Sequence, residues 1–214
     1  MSDLLPRWRT TAAEVCAAPD DHVTAVGTDL LQRWSGPARS YHDTAHLTEV
    51  LDGIDMLADD AAGTEVAAVR LAAWFHDAIY DGVPGEDERA SAEFARDQLT
   101  ELGVDPGLVA EVARLVLLTD GHDPGPDDFA GQLLCDADLA VLGRDDAGYR
   151  AYVAAASAEY AHVPAERFRT GRVRVLRELL AHRPLFHLPT ANARWEAQAR
   201  ANISAEIARL TDSS

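Results

Sequence analysis

The sequence predicts an all-α protein, a bundle of roughly eight to ten helices, on three observations. Alanine is abundant, and hydrophobic residues make up 47% of the 214 positions, the balance of a globular chain. Runs of β-branched and aromatic residues of the kind that strands favour are few. Apolar residues recur with a helical period through almost every segment. A chain of this length buries a substantial core as one domain, residues 1–214, and no linker is long or polar enough to divide it.

The helical period places the first two segments at 8–17 and 21–35. The third, 42–58, follows "SGPARS", and the fourth, 64–80, stops before "DGVPGED". The fifth, 86–102, opens on Glu86 and Glu88, as the helix dipole favours, and "GVDPG" separates it from the sixth, 106–119. "GHDPGPDD" closes the sixth; the seventh covers 131–143. "GRDDAGYR" reads as the connection to the eighth, 145–161, since its glycines lack phosphate-loop spacing and no strand precedes them. The ninth and tenth segments cover 164–182 and 190–211. Val66, Val69, Leu71, Ala72, Ala73, Phe75 and Ile79 surround much of the fourth helix, which marks it as central.

Thirty-six acidic residues face 19 basic ones, a formal net charge of −17. Such a field repels polyphosphate backbones and argues against a nucleic-acid surface, while a metal ion and a few arginines can still dominate inside a cleft. Cys16 and Cys135 lie far apart without metal spacing and read as reduced thiols. "MSDLLPRWRT" has no stretch of signal-peptide character, and no segment approaches ~20 apolar residues, so no membrane contact and a cytoplasmic location are expected.

Polar residues at apolar places carry the functional reading. In "LAAWFHDAIYDG", His76 and Asp77 close the central helix, where an unpaired carboxylate is costly and calls for a cation or a metal. In "YHDTAHL", His42 and His46 are four apart and on a helix would share one face. As a zinc-protease motif the spacing is weak, because Asp43 is short for the general base and Glu49 and Asp52 stand where a third histidine would follow. In "LLCDADLAVLG", Asp136 reads as a helix cap; Asp138 lies deeper and is less well explained by capping. A histidine, a His-Asp pair and a later aspartate together would offer mixed nitrogen and oxygen ligation to one divalent transition metal, Mn²⁺, Fe²⁺, Co²⁺, Ni²⁺ or Zn²⁺.

The order His, His-Asp, Asp in an all-helical chain resembles the HD superfamily of metal-dependent phosphohydrolases. "YHDTAHLTEVL", "AAWFHDAIYD", "ERASAEFA", "LLTDGH", "CDADLAVLG" and "AQARANISAE" look like one bacterial branch described as predicted HD phosphohydrolases, over about Arg39 to Glu206. The resemblance implies His46, His76, Asp77 and Asp138 as metal ligands, with Asp136 the competing choice for the last. It implies hydrolysis of a small phosphorylated, nucleotide-like substrate by a metal-activated water, with Asp77 accepting a proton. Asp81 corresponds to a carboxylate that orients water in some members; the alternative is an exposed residue in the turn. Glu88 resembles an acidic position of the branch, beside its simpler role at a helix start. His122 would face substrate; His42 would either stand behind the metal ligands or contact substrate. Arg39 and Arg167 are the chosen phosphate partners, Arg89, Arg144 and Arg172 being further candidates. Rival readings are an HD-fold di-iron oxygenase, whose extra histidine pair is missing here, and a non-catalytic nucleotide-binding module.

Overall fold

The computed structural model describes residues 4–58, 64–83 and 85–212. Among them are ten α-helices and no strand: α1 Leu4–Ala13, α2 Asp20–Trp34, α3 Thr44–Leu57, α4 Thr64–Phe75, α5 Glu86–Glu101, α6 Pro106–Leu118, α7 Phe129–Asp138, α8 Asp146–Glu159, α9 Ala165–Ala181 and α10 Pro189–Asp212. A 3₁₀ turn, Leu139–Gly143, continues α7. None of the described helices is long and apolar enough to cross a membrane.

Helix α4 is the axis. Val66 to Phe75 is buried at every position but Arg70, and α4 packs against α1, α3, α5, α6 and α7. A helix apolar around its whole circumference can only sit inside the bundle. On one side the Trp8 indole of α1 lies edge-on to Trp74 and Phe75 at 5.5 and 6.0 Å, and it donates to the Val23 carbonyl at 2.7 Å. The close crossing of α1 and α2 needs Gly27, where a β-carbon would meet Trp8 Cδ1 at 2.2 Å.

Four elements end differently from the periodicity. Helix α1 spans 4–13 rather than 8–17, because Leu4 and Trp8 bury their side chains there while the amides of Ala17 and Ala18 turn away to the Leu102 carbonyl. Helix α3 starts at Thr44 rather than 42, and α4 stops at Phe75 rather than 80. The segment 131–143 is an α-helix only to Asp138, after which it tightens. The last three of these ends all fall at the candidate site.

Candidate metal centre

The Asp43 carboxylate accepts the backbone N–H groups of Ala45 and His46 at 2.8 and 3.2 Å, so it is the N-cap of α3. His42 therefore lies before the helix and does not share a helix face with His46, as the four-residue spacing had suggested. The two rings still meet, edge to face with centroids 5.6 Å apart. His42 is held instead by Glu159, the last residue of α8. Glu159 Oε1 accepts the backbone N–H groups of Ser40, Tyr41 and His42 at 2.8, 2.8 and 2.9 Å, and its Oε2 lies 2.7 Å from His42 Nδ1. A carboxylate only accepts, so that proton sits on Nδ1 and His42 turns Nε2 toward the site.

The end of α4 is set by side chains that take the carbonyl of Trp74 and those of the turn that follows. Trp34 Nε1 donates to the Trp74 carbonyl at 2.9 Å. The Arg39 guanidinium donates to the carbonyls of His42, Asp77 and Ala78 at 2.8, 2.7 and 3.3 Å. A cation there satisfies orphan carbonyls and matches the negative end of the helix dipole. Freed from the helix, His76 and Asp77 turn into one space rather than diverging by ~100° as neighbours on a helix do. His76 Nδ1 lies 2.9 Å from the Ala73 carbonyl, which fixes the tautomer and leaves Nε2 as a lone-pair donor. The following turn is tied to α5: Asp87 accepts the amides of Asp81, Gly82 and Val83, and Ser91 bonds both the amide and the carbonyl of Ile79.

Asp138, at the end of α7, completes the group. Its Oδ1 is 3.0 Å from His46 Nε2 and 3.6 Å from His76 Nε2. Asp77 Oδ2 is 3.2 Å from His76 Nε2 and 4.0 Å from both His46 Nε2 and His42 Nε2. His122 Nε2 lies 2.7 Å from Asp138 Oδ2, reached from a left-handed backbone conformation (φ 49°) just past α6. That conformation costs a non-glycine residue about 1–3 kcal/mol and persists where surrounding contacts fix it, here the bond to Asp138. Asp136 points elsewhere. Fully buried, it accepts the amides of His187 at 2.9 Å and Leu188 at 2.7 Å and ties the start of α10 to α7.

The donor set fits a metal ion. One ligand atom each from His46, His76 and Asp77 lies within 4.8 Å of the others. His46 and His76 are 3% and 2% exposed, and neither Nε2 has a hydrogen-bond partner despite the nearby carboxylates. A buried imidazole nitrogen without a partner is costly, and two aimed at one point beside two carboxylate oxygens suit a cation that no side chain supplies. Separations of 3.0 to 4.0 Å around the group match ligands each about 2.0–2.2 Å from a shared ion. The charges agree. Burial opposes ionisation of Asp77 and Asp138, yet His76 and the other imidazoles hold both carboxyls well below the usual range. Burial likewise opposes charge on His76, which Asp77 and Asp138 more than offset, raising its pKa well above the usual value, so that without an ion the carboxylates draw a proton onto the nitrogen that would bind one.

The other expected residues are placed as follows. Arg39 is at the site, on backbone carbonyls. Glu88 caps α5, accepting the Gly85 amide at 2.5 Å, and burial raises its pKa. Asp81 is exposed in the turn after Asp77, and Arg167 is exposed on the first turn of α9. Arg144 pairs with Glu49 and Arg172 with Glu206. Residues absent from the sequence reading are Glu159, Tyr41 and Tyr80. Tyr41 packs on the rings of His42 and His46 at 4.7 and 4.8 Å, and Tyr80 lies over His42 at 4.3 Å. A signal for Glu159 existed: Tyr149, Tyr152, Ala156 and Glu159 follow the 3-4-3 spacing of one helix face, so its carboxylate continues an inward stripe. The chain matches no protein-family model, no curated protein and no solved structure.

Proposed function

We propose that the protein is a metal-dependent phosphohydrolase of the type the HD superfamily represents, acting on a small phosphorylated substrate. The observation that carries this is the pair of buried, partnerless imidazole nitrogens of His46 and His76 facing the carboxylates of Asp77 and Asp138. These four residues would hold one divalent transition metal. When bound, such an ion supplies Lewis acidity toward a phosphoryl oxygen and a hydroxide nucleophile near neutral pH.

The chain's own groups divide the remaining work. His42, Asp77, Asp138 and His122 keep 23, 14, 11 and 17% of their side-chain surface, so substrate meets the centre along this edge. Asp77 is at the centre of it and is the group placed to take a proton from the attacking water. His42 would act from its doubly protonated form, donating from Nδ1 to Glu159, passing the Nε2 proton to the departing oxygen and being left as the neutral Nδ1–H tautomer. His122 fixes the second oxygen of Asp138. Tyr41 and Tyr80 hold the imidazoles in place by ring contact. No covalent intermediate is required. Arg39 acts on substrate only through the backbone it holds.

The test is reconstitution: chelator-treated protein is loaded with Mn²⁺, Fe²⁺, Co²⁺, Ni²⁺ or Zn²⁺ and assayed against phosphate esters and anhydrides. Metal-dependent release of phosphate, lost together with bound metal in Asp77→Ala, supports the proposal. Turnover in metal-free Asp77→Ala protein would refute it.

A further inference from the structure

Helix α8 carries two of the side chains that back the centre, yet little of the helix itself is buried. Only Tyr149 and Ala156 are buried in it, and its closest backbone packing is on the 3₁₀ turn that leads into it. From its last residue Glu159 orients His42. From its middle the Tyr152 ring lies edge-on to Tyr41 at 4.7 Å, and Tyr41 in turn packs on His42 and His46. A displacement of α8 would therefore reach both imidazoles at once.

A cluster of charged and phenolic groups from α9 and α10 grips this helix. Arg172 of α9 donates from Nε to Glu206 Oε1 at 2.9 Å and from Nη2 to Oε2 at 3.2 Å, while its Nη1 donates to the Tyr152 hydroxyl at 2.9 Å. The Tyr149 hydroxyl donates to Glu206 Oε2 at 2.5 Å, and the Arg172 guanidinium lies over the Tyr152 ring at 5.0 Å. Tyr149 and Tyr152 are three apart and share one face of α8, so the ion pair holds that face through both hydroxyls. Asn202, one turn before Glu206 on α10, donates to the carbonyls of Leu142 and Arg144 just ahead of α8, each at 2.8 Å. Stability alone does not explain two charges with 13 and 3% of their side-chain surface exposed. Desolvation largely cancels the attraction within such a pair, and well-packed apolar residues of equal volume hold a core at least as well. What a guanidinium fork adds over apolar contact is direction, because its bonds to carboxylate and phenol fix the angles of the groups they join.

Building on the metal-centre reading, we infer that Arg172 and Glu206 are positioning residues of that centre: the buried pair locks Tyr149 and Tyr152, sets the place of α8, and through Tyr41 and Glu159 holds the rings of His46 and His42. The path from Arg172 to His46 has three contacts, the bond to the Tyr152 hydroxyl and two ring contacts. Outer partners of a ligating histidine change metal affinity by about 10–100-fold, and a clamp acting through two rings belongs at the lower end, about tenfold.

The experiment uses the full chain, stripped of metal and titrated with Zn²⁺ in competition with a chromophoric chelator. The visible spectrum of the Co²⁺-loaded protein is recorded beside it, since its bands report ligand geometry whether or not the protein turns anything over. The test variant carries Arg172→Met and Glu206→Leu together, so that no buried charge is left unpaired. The control is Asp105→Ala, which removes the cap of α6 at the end away from His122 and loosens the fold without touching α8. The double variant should unfold cooperatively, bind Zn²⁺ about tenfold more weakly than wild type and shift the Co²⁺ bands, while Asp105→Ala changes neither reading. Wild-type affinity and spectrum in the double variant overturn the positioning role and leave the metal centre standing. An equal loss in Asp105→Ala also overturns it, since general loosening would then be the cause. If the double variant does not fold, Tyr152→Leu decides by the same two readings, because it removes the ring behind Tyr41 and keeps the ion pair. Wild-type protein that holds no metal overturns both this role and the hydrolase reading.

Discussion

Replacing Glu159 by glutamine changes one atom and tests the division of labour at the site. The glutamine carbonyl oxygen can keep the amides of Ser40, Tyr41 and His42, which Glu159 Oε1 accepts at 2.8 to 2.9 Å. The amide NH₂ then faces His42 Nδ1, 2.7 Å from the present Oε2, where a proton now points the other way. His42 must become an acceptor at Nδ1, which moves its proton to Nε2 and removes the carboxylate that stabilises the imidazolium. Trading hydrogen bonds to a charged acceptor for neutral ones costs about 1–2 kcal/mol. For a chain of this size each kcal/mol lowers the melting temperature by about 2–4 °C, so the variant folds. A proton donor to the departing oxygen is worth about 10²–10⁴ in rate. That loss should appear with alkyl phosphates, whose leaving oxygen needs a proton, and fall below about tenfold with nitrophenyl phosphate, whose leaving group does not. Steady-state kinetics on the two substrates, with metal content measured alongside, provide the comparison. Equal losses on both, or loss of the metal itself, would refute the assignment of His42 and Glu159.

Three further outcomes follow from the packing. Asp138→Asn should remove most bound metal, whereas Asp136→Asn, which weakens the grip on the His187 and Leu188 amides, should keep the metal and lose about 1–3 kcal/mol of stability; elemental analysis and chemical denaturation read the two effects separately. Gly27→Ala places a β-carbon against the Trp8 ring, and the overpacking should cost about 1–3 kcal/mol, seen as a lower denaturation midpoint. Burial opposes charge on Glu159, but His42 and the backbone amides hold its pKa down at about 2. Since the folded value lies below the unfolded one of about 4.3, the stability it contributes is whole above pH 4.3 and lost as pH falls through 2. The stability difference between metal-free wild type and Glu159→Gln should therefore shrink as pH falls from about 4.3 toward 2.

The helical class was legible because apolar period 3.6 is a property of single segments, and α4 announced its centrality by being apolar on all sides. His76 and Asp77 stood out for the same reason: charge at the end of a buried run has few structural uses. The ends of α3 and α4 were not legible. Asp43 in "YHDTAH" caps a helix whose continuation upstream is equally compatible with the pattern, and α4 ends where Trp34 takes the Trp74 carbonyl and Arg39 those of the following turn, both from some 40 residues earlier in the chain. Those are tertiary contacts, and propensity carries no record of them. Arg39 illustrates the same limit, since an arginine beside a suspected site invites a phosphate, and only the fold shows its guanidinium occupied. Glu159 lies 117 residues from His42 and entered no motif, although its place on the inward stripe of α8 was visible.

The proposed centre requires His46, His76, Asp77 and Asp138 to share one ion, and anomalous diffraction from crystals of the metal-loaded protein, recorded at the absorption edge of the metal, tests this most directly. The expected result is a single strong peak about 2.0–2.3 Å from Nε2 of both histidines and from one oxygen of each aspartate. A peak elsewhere, or none while the four side chains hydrogen-bond among themselves, would contradict it.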